Sequence, residues 1–425
     1  MSRKYGLLGR TLKHSFSKKI HNILGDYSYE LIEVPNIKNL EEVIKSKDYK
    51  GFNVTIPYKI DVIEFCDILT KEAKLAQAVN TLYYERGKVV GHNTDVEGVL
   101  YLLRKAGSLK KVIILGSGGA SGAVKAALEI KGVYNYVIIS RNGKDNYSNM
   151  NNHLDADAII NTTPVGMYPN NGKSPLENSD VNLESFTKLE SVIDIIYNPN
   201  KTKLLLDAEK IGVKTISGMG MLVAQAIKSA EAWGVLDKDD LQVEKINNKI
   251  LKKTQNIMLI GMPGCGKSTV AKGLSNLLDR PYIDLDRKVV EGAKMSISDI
   301  FDNPKMGEKY FRKLETETLR ELSKKDGYII ATGGGVVISD DNFDLLKENS
   351  ICIYIKRELK LLSKNGRPIS KRKGVDSLYK ERSHLYEKLA DITVENNRDF
   401  EGSYYKELKN YSQKIKNEID KFYQV

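Results

Sequence analysis

Cysteine is scarce in this 425-residue chain, which has only Cys66, Cys265 and Cys352, far apart in the sequence. An odd, sparse set argues against a disulfide framework, and the spacing matches no metal site. Such usage suits a reducing compartment, so a cytoplasmic location is expected. No apolar run reaches the length of about 18 residues that a membrane span needs. The opening "MSRKYGLLGRTLKH" has basic residues but no apolar core and no small-residue cleavage site, so it does not read as a signal peptide. Internal repeats and long low-complexity tracts are missing too. Acidic residues are in modest deficit, 55 against 66 basic ones, which leaves a net charge of +11 and a pI near 9.1. No zinc-finger or RNP-type pattern accompanies the basic residues, which are spread along the chain. A field of that sign also draws in anionic metabolites, the better reading here; neither nucleic acid nor a membrane is an expected partner.

Hydrophobic residues make up 41% and charged residues 28%, the balance of a globular chain with real cores. The length suits two to four domains. Residues 1 to about 90 alternate short apolar runs, such as "YSYELIEVP" and "GFNVTIP", with helix-like segments, among them "KIDVIEFCDILTKEAKLA". "GVLYLLRKAG" reads as a helix ending at Gly107. After it, "KKVIILGSGGASGAVKAALEI" reads as strand, glycine-rich turn and helix. "YVIISRN", "ADAIINTTP" and "ESVIDIIYNP" are further buried strands, and strands interleaved with helices imply a parallel, doubly wound sheet. "RNGKDNYSNMNNH" is polar enough for a mobile loop. "LDKDDLQVEKINNKILKKT" is charged and helix-prone, as a boundary would be.

Beyond that boundary, Gly261 to Ser268 fits the full G-x-x-x-x-G-K-[ST] pattern between the strand "NIMLI" and the helix "STVAKGLSNLL". Glycines at Gly261, Gly264 and Gly266 let backbone N–H groups close around phosphate oxygens, with Cys265 and Thr269 in the same loop and turn. Lys267 adds a point charge at the transferring phosphate, and Ser268 offers a hydroxyl to Mg²⁺. ATP or a relative, with Mg²⁺, is the ligand this pattern predicts.

Further on stand "YIDLDRKVV", "GEKYFRKLE", "ATGGGVV" and "KNGRPISKRKG". In this order they resemble the shikimate kinases over about residues 255 to 415. The resemblance implies that Asp284 lies in the second shell of Mg²⁺ and that Asp286 holds and helps deprotonate the acceptor hydroxyl. It further implies that Arg312 and Arg382 clamp a carboxylate, with Glu315 orienting Arg312 from three residues away on one helix face. Gly333, Gly334 and Gly335 would let backbone approach the acceptor, and Arg367 would cover the phosphates from a lid.

In the first half, Gly116, Gly118, Gly119 and Ala120 form a dinucleotide fingerprint between strand and helix. The second strand ends in Ser140-Arg141 instead of an acidic residue, which suits the 2′-phosphate of NADP(H). "HSFSKKIHN", "GFNVTIPYK", "AVNTL", "GHNTD", "INTTPVGM", "DIIYNP" and "GMGMLVAQA" together resemble shikimate dehydrogenase over residues 1 to about 235. The resemblance implies that Ser15 and Ser17 hold the substrate carboxylate, that Thr55, Asn80 and Gln225 bond its hydroxyls, and that Tyr197 lies near the carboxylate. Lys59 and Asp95 would be the catalytic pair, and Gly218 would belong to the cofactor site. Reducing a ketone requires a proton to arrive with the hydride, and a lysine held by a carboxylate can deliver it. This chain departs from the family at Gly122, where a larger residue is frequent. It departs again in the short stretch 142–156, which usually holds a helix and a strand; both bear on the adenosine side of the cofactor.

The expected fold class is therefore α/β throughout. Residues 1–95, with 216–235 returning, would form a substrate domain, and 96–215 a Rossmann-like NADP domain. Residues 236–254 would link these to a P-loop kinase domain at 255–425. The expected function is NADPH-dependent reduction of 3-dehydroshikimate followed by ATP-dependent phosphorylation of shikimate, by a monomer or a homodimer. A quinate/shikimate dehydrogenase preferring NAD, or a half that only senses its ligand, stays open at this point.

Overall fold

The computed structural model describes residues 4–12, 16–46, 48–177, 179–236, 242–362, 374–397 and 404–425. Ser15 and Arg367, both expected in the sites, lie outside the described residues. The chain divides into two compact units, Met1–Ile250 and Leu251–Val425. The division falls inside the helix Gln242–Thr254, so the charged stretch foreseen as a linker is helical over those residues. Among the described residues no helix is long and apolar enough to cross a membrane.

The first unit contains two sheets. One is six-stranded, in the order β2-β1-β3-β5-β6-β4. Its strands are β1 (Lys4–Gly9), β2 (Ser28–Glu33), β3 (Gly51–Val54), β4 (Ile68–Leu69), β5 (Thr81–Glu85) and β6 (Lys88–His92). β1 runs parallel to β2 and β3, whereas β5 is antiparallel to both β3 and β6, so the sheet is mixed. The segment read as one helix from Lys59 breaks into a 3₁₀ turn Asp61–Phe65, the short β4 and a helix Lys71–Ala76. Pairing with β6 makes the break: Ile68 and Leu69 lie against Val90 and Gly91, Asp67 accepts the Val89 N–H to hold the strand, and Thr70 accepts the Ala73 N–H to start the helix.

The other sheet is five-stranded and all parallel, in the order β11-β10-β9-β7-β8. Its strands are β7 (Val112–Leu115), β8 (Tyr136–Ile139), β9 (Ala158–Asn161), β10 (Ser191–Asp194) and β11 (Lys214–Ser217). β7, β9 and β10 are buried at every position, as near-continuous apolar runs covered on both faces must be. The polar stretch after β8 is a packed turn and not a free loop. Met150 is fully buried, His153 meets Asp145 at 3.0 Å, and the Asn149 side chain accepts from the Asn146 N–H at 2.7 Å. One apolar anchor and a few side-chain-to-backbone bonds outweigh the polarity of its composition.

The helices Thr94–Lys105 and Met219–Ala232 pack on each other. Gly98 and Gly220 permit it: a Cβ at Gly98 would lie 2.7 Å from the Met221 carbonyl oxygen, and one at Gly220 would lie 2.6 Å from the Tyr101 ring. After the second helix, Trp233 returns to the first sheet, stacked on Tyr5 at 4.5 Å and donating to the Leu82 carbonyl at 3.0 Å.

The second unit has one parallel sheet in the order β13-β14-β12-β15-β16. Its strands are β12 (Asn256–Ile260), β13 (Tyr282–Asp284), β14 (Ile329–Ala331), β15 (Ser350–Lys356) and β16 (Ile392–Glu395). β12 lies at the centre and is wholly buried, so the phosphate-loop sequence that follows it emerges at the middle of the sheet's carboxyl edge. In open α/β sheets that edge is where ligands bind.

Candidate active sites

Lys59 and Asp95 meet in the first unit. The Lys59 Nζ donates to Asp95 Oδ2 at 2.6 Å, with the carboxylate side chain 10% exposed and the lysine 30%. Each is fixed from behind. The preceding Tyr58 is buried and donates its hydroxyl to the Val34 carbonyl at 2.7 Å, while the Lys59 carbonyl accepts from the Val79 N–H at 2.7 Å. Asp95 sits in the first turn of the helix Thr94–Lys105, where a carboxylate is favoured by the helix dipole. That helix starts at Asn93, whose side chain accepts the Val96 N–H and donates to the Ala78 carbonyl.

Asn80 belongs to the same assembly, since its Oδ1 accepts the Thr94 N–H at 2.7 Å. Gln225 Oε1 is buried without a hydrogen-bond partner, so it retains an acceptor for a ligand hydroxyl. Ser17 begins the helix Ser17–Leu24 and bonds to Tyr29. Next to it Phe16 packs on Tyr197 at 5.6 Å, and burial raises the pKa of the Tyr197 hydroxyl. Thr55 is half-buried on the loop after β3, with its N–H on the Leu8 carbonyl.

At the carboxyl end of β7, Gly116 adopts φ +100°, and a Cβ there would press on Thr163 at 2.9 Å. A Cβ at Gly118 or Gly119 would meet nothing within 4 Å, so the start of the helix Gly119–Ile130, with Ala120 in its first turn, faces open space. Glycines opening onto a helix N-terminus fit a pyrophosphate. Ser140 shapes the turn after β8, where its N–H bonds the Asp145 carbonyl, and Arg141 beside it is exposed. Gly218 has a packing reason of its own: a Cβ there would fall 2.1 Å from the Ile195 carbonyl oxygen. Gly122 likewise lets the glycine-rich helix touch the end of the helix Lys71–Ala76, since a Cβ would lie 2.8 Å from the Ala76 oxygen.

Asp194 and Asn161 were not foreseen from the motifs. Asp194 is fully buried at the end of β10, where burial pushes its carboxyl up to about 6. It accepts from the Asn161 amide at 3.1 Å, the Ile196 N–H at 3.0 Å and the Thr202 hydroxyl at 2.6 Å. Asn161 in turn accepts from the Thr163 N–H and hydroxyl. The pair ties together the loops after β9 and β10. Both residues stand inside "INTTPVGM" and "DIIYNP", so the signal was an acid and an amide each ending a buried strand.

In the second unit a cleft of about 540 Å³ opens at the phosphate loop. Gly261, Gly264 and Gly266 take φ +141°, +90° and +100°, a backbone that glycine alone adopts without strain. Lys267 is 8% exposed, and its ammonium donates to the Gly261 and Met262 carbonyls at 2.8 and 3.0 Å, holding the charge over the loop. The Ser268 hydroxyl donates to Asp284 Oδ2 at 2.5 Å, a pair of hard oxygens suited to Mg²⁺. Thr269 lines the cleft, whereas Cys265 does not: its side chain is fully buried and its N–H donates to the Met262 carbonyl at 3.2 Å. Asn396, just after β16, was not foreseen; its amide donates to the Cys265 carbonyl at 2.7 Å and pins the loop from behind.

Across the cleft, Arg312 is held by Glu315 at 2.7 Å and Glu308 at 3.2 Å. Burial opposes its charge, but the two carboxylates outweigh burial and raise its pKa. Glu315 has no exposed surface, and burial raises its own pKa against the pull of Arg312. Arg382 is 1% exposed and donates to the Gly334 carbonyl at 3.2 Å, as does the Tyr386 hydroxyl. Arg382 Nε and Nη2 and Arg312 Nε are buried without partners, so the cleft holds unused cationic donors, as a carboxylate site requires. The three glycines admit no side chain here. A Cβ at Gly333 would fall 2.5 Å from Asp286 Oδ1, one at Gly334 2.5 Å from Pro263, and one at Gly335 2.2 Å from Arg312.

Known proteins resemble each unit. A shikimate dehydrogenase (NADP⁺) of Clostridium beijerinckii is 38% identical over 250 residues, 54% of this chain and 91% of its own length. The chain belongs to the shikimate dehydrogenase family. Residues 7–82 match the family model for the shikimate dehydrogenase substrate binding domain, and residues 263–417 match that for shikimate kinase. A shikimate dehydrogenase region is thus joined to a shikimate kinase region. The structure is similar to a chorismate mutase/shikimate 5-dehydrogenase fusion protein from Clostridium acetobutylicum, with a TM-score of 0.54 and 35% identity over 60% of this chain and 98% of that one. It is also similar to shikimate 5-dehydrogenase from Thermus thermophilus in complex with NADP(H) and shikimate, with a TM-score of 0.51 and 26% identity over 58% of this chain and 99% of that one.

Proposed function

We propose that this chain reduces 3-dehydroshikimate to shikimate with NADPH in its first unit, and phosphorylates shikimate with ATP and Mg²⁺ in its second. The observation that carries the first activity is the 2.6 Å contact between Lys59 and Asp95, backed by Asn80 and the unpartnered Gln225 acceptor. NADPH, when bound along Gly116, Gly118 and Gly119, supplies the hydride. Lys59 gives a proton to the ketone oxygen, and Asp95 holds the ammonium toward it. Asn80, Thr55 and Gln225 hold the ring hydroxyls, and Ser17 with Tyr197 receives the carboxylate. Ser140 and Arg141 supply a hydroxyl and a guanidinium for a 2′-phosphate.

For the second activity, MgATP bound on the phosphate loop supplies the phosphoryl group. Asp286 accepts the acceptor's hydroxyl proton, and Arg312 with Arg382 fixes the single carboxylate of shikimate so that one hydroxyl points at the loop. Lys267 and Ser268 hold the phosphate side. The deciding test incubates purified protein with 3-dehydroshikimate, NADPH and MgATP. NADPH loss should come first, and ADP release should follow only when a ketone substrate or shikimate is present. If shikimate failed to release ADP, or 3-dehydroshikimate failed to consume NADPH, the corresponding half of the proposal would fall.

A further inference from the structure

We infer that Ser229, a buried hydroxyl on the helix Met219–Ala232, is a positioning residue that sets Asn80, Asp95 and Gln225 relative to one another. This rests on the reductase reading of the first unit. Ser229 has no exposed surface, yet its Oγ meets four polar groups. It donates to the Gln225 carbonyl at 2.9 Å and accepts from the Asn53 amide at 2.7 Å. It also lies 2.9 Å from the Thr81 hydroxyl and 3.2 Å from the Thr94 hydroxyl.

Proton counting fixes the roles. Serine has one hydroxyl proton, and the Gln225 carbonyl can only accept, so toward Asn53 and the two threonines the serine oxygen is an acceptor. Its two lone pairs take the Asn53 amide and one threonine. The other threonine then turns to Asn80 Oδ1, 3.1 Å from the Thr81 hydroxyl and 3.2 Å from the Thr94 hydroxyl, or to the first threonine, 3.2 Å away. Asn80 Oδ1 also takes the Thr94 N–H, which fixes the amide oxygen, and the hydroxyl that Ser229 leaves over adds a further donor to that oxygen.

Each partner leads to a residue assigned to the reaction. Thr81 follows Asn80, Thr94 precedes Asp95 in the first helical turn, and Gln225 is one turn before Ser229. Asn53 extends the chain further, since its Oδ1 accepts the Tyr29 hydroxyl at 2.8 Å and Tyr29 bonds to Ser17. One hydroxyl therefore joins β3, β5, the helix bearing Asp95 and the helix bearing Gln225. A buried network of this kind fixes geometry when every member is satisfied. An alanine would take the shortest acceptor from the Asn53 amide, leaving it the Thr81 hydroxyl at 3.0 Å and the Asn80 carbonyl at 3.4 Å, and would release one threonine to compete for Asn80 Oδ1.

The experiment compares S229A with the wild-type full-length chain, alone and in an N80A background. S229A should lower kcat/KM for 3-dehydroshikimate about tenfold and leave the KM for NADPH within about twofold. In the N80A background the loss from S229A should shrink below about twofold, because both changes act on one interaction. A purely structural role would lower the unfolding temperature but keep the full tenfold loss in that background, and this outcome overturns the inference. A kcat/KM within about twofold of wild type in S229A overturns it as well. If S229A does not fold, S229C, which keeps the volume but weakens the hydrogen bonds, carries the same comparison. A wild-type chain that does not consume NADPH would instead remove the reductase reading itself.

Discussion

Single side chains separate binding from chemistry in both units. Lys59→Ala removes the group proposed to protonate the ketone oxygen while leaving the residues proposed to hold the hydroxyls in place. Dehydrogenase kcat is expected to fall by about two to four decades with a modest change in KM, measured by NADPH oxidation. A loss confined to KM would make Lys59 a binding residue. In the second unit Arg312 and Arg382 are proposed to serve one anion. Replacing either by alanine should cost about one to two decades in kcat/KM for shikimate, with the KM for ATP nearly unchanged. The double variant should lose less than the sum of the singles, since the second loss removes a partner already mispositioned. If Arg312→Ala raised the KM for ATP and spared shikimate, the carboxylate assignment would be wrong.

At the scale of elements, the phosphate loop depends on a neighbour at the other side of its sheet. Asn396, 5% exposed, donates to the Cys265 carbonyl, and a Cβ at Gly266 would lie 3.0 Å from its amide nitrogen. Asn396→Ala should raise the KM for ATP about tenfold, the worth of one buried hydrogen bond, and leave that for shikimate within about twofold. Equal changes for both substrates would show a general loosening of the cleft. The helix Ser17–Leu24 is held differently, through His21, which stacks on Tyr29 at 3.9 Å and meets the Tyr27 hydroxyl at 2.7 Å. Burial lowers the His21 pKa from 6.5 to about 3, against a smaller opposing hydrogen bond from Asn53. The unfolded chain therefore binds a proton between about pH 6.5 and 3 that the folded chain refuses. Stability conferred by this neutral histidine is complete above pH 6.5 and falls by about 1.4 kcal/mol per pH unit as pH drops through that window. His21→Asn should flatten this acid slope in urea unfolding followed by the fluorescence of Trp233, the chain's one tryptophan, whose ring lies 5.4 Å from His21. An unchanged slope would mean other groups carry the acid sensitivity.

For the whole molecule, each unit has its own sheet or sheets and its own buried core, and each is proposed to carry a complete site. An equimolar mixture of Lys59→Ala and Lys267→Ala chains should therefore convert 3-dehydroshikimate to shikimate 3-phosphate, with shikimate passing through solution. Product should appear after a lag that shortens as added shikimate rises. Failure of the mixture, with each chain keeping its remaining activity, would mean that both activities must reside in one chain. Much of this was legible beforehand. The phosphate loop declares itself because glycine, lysine and serine each have a chemical reason at fixed spacing. The pairing of Lys59 with Asp95 was readable only through the flanking motifs, since 36 residues separate them. Asn396 and Ser229 gave no local signal at all.

Local rules, then, determined which stretches become buried strands, where glycine must stand, and which residue types could carry phosphate, carboxylate or proton chemistry. Periodicity and capping act over a few residues, so a chain read in order reveals them. The break of the 59–76 stretch into turn, strand and helix was decided by the tertiary structure, because Ile68–Leu69 gains a partner in β6 that no local pattern contains. The anchoring of "RNGKDNYSNMNNH" was decided likewise by the space available for Met150. Tertiary structure also decided which polar groups are satisfied from behind and which, such as Gln225 Oε1 and the free edges of Arg382, keep hydrogen-bonding capacity for a ligand. That distinction depends on burial and on partners distant in sequence, and both exist only once the chain has closed on itself.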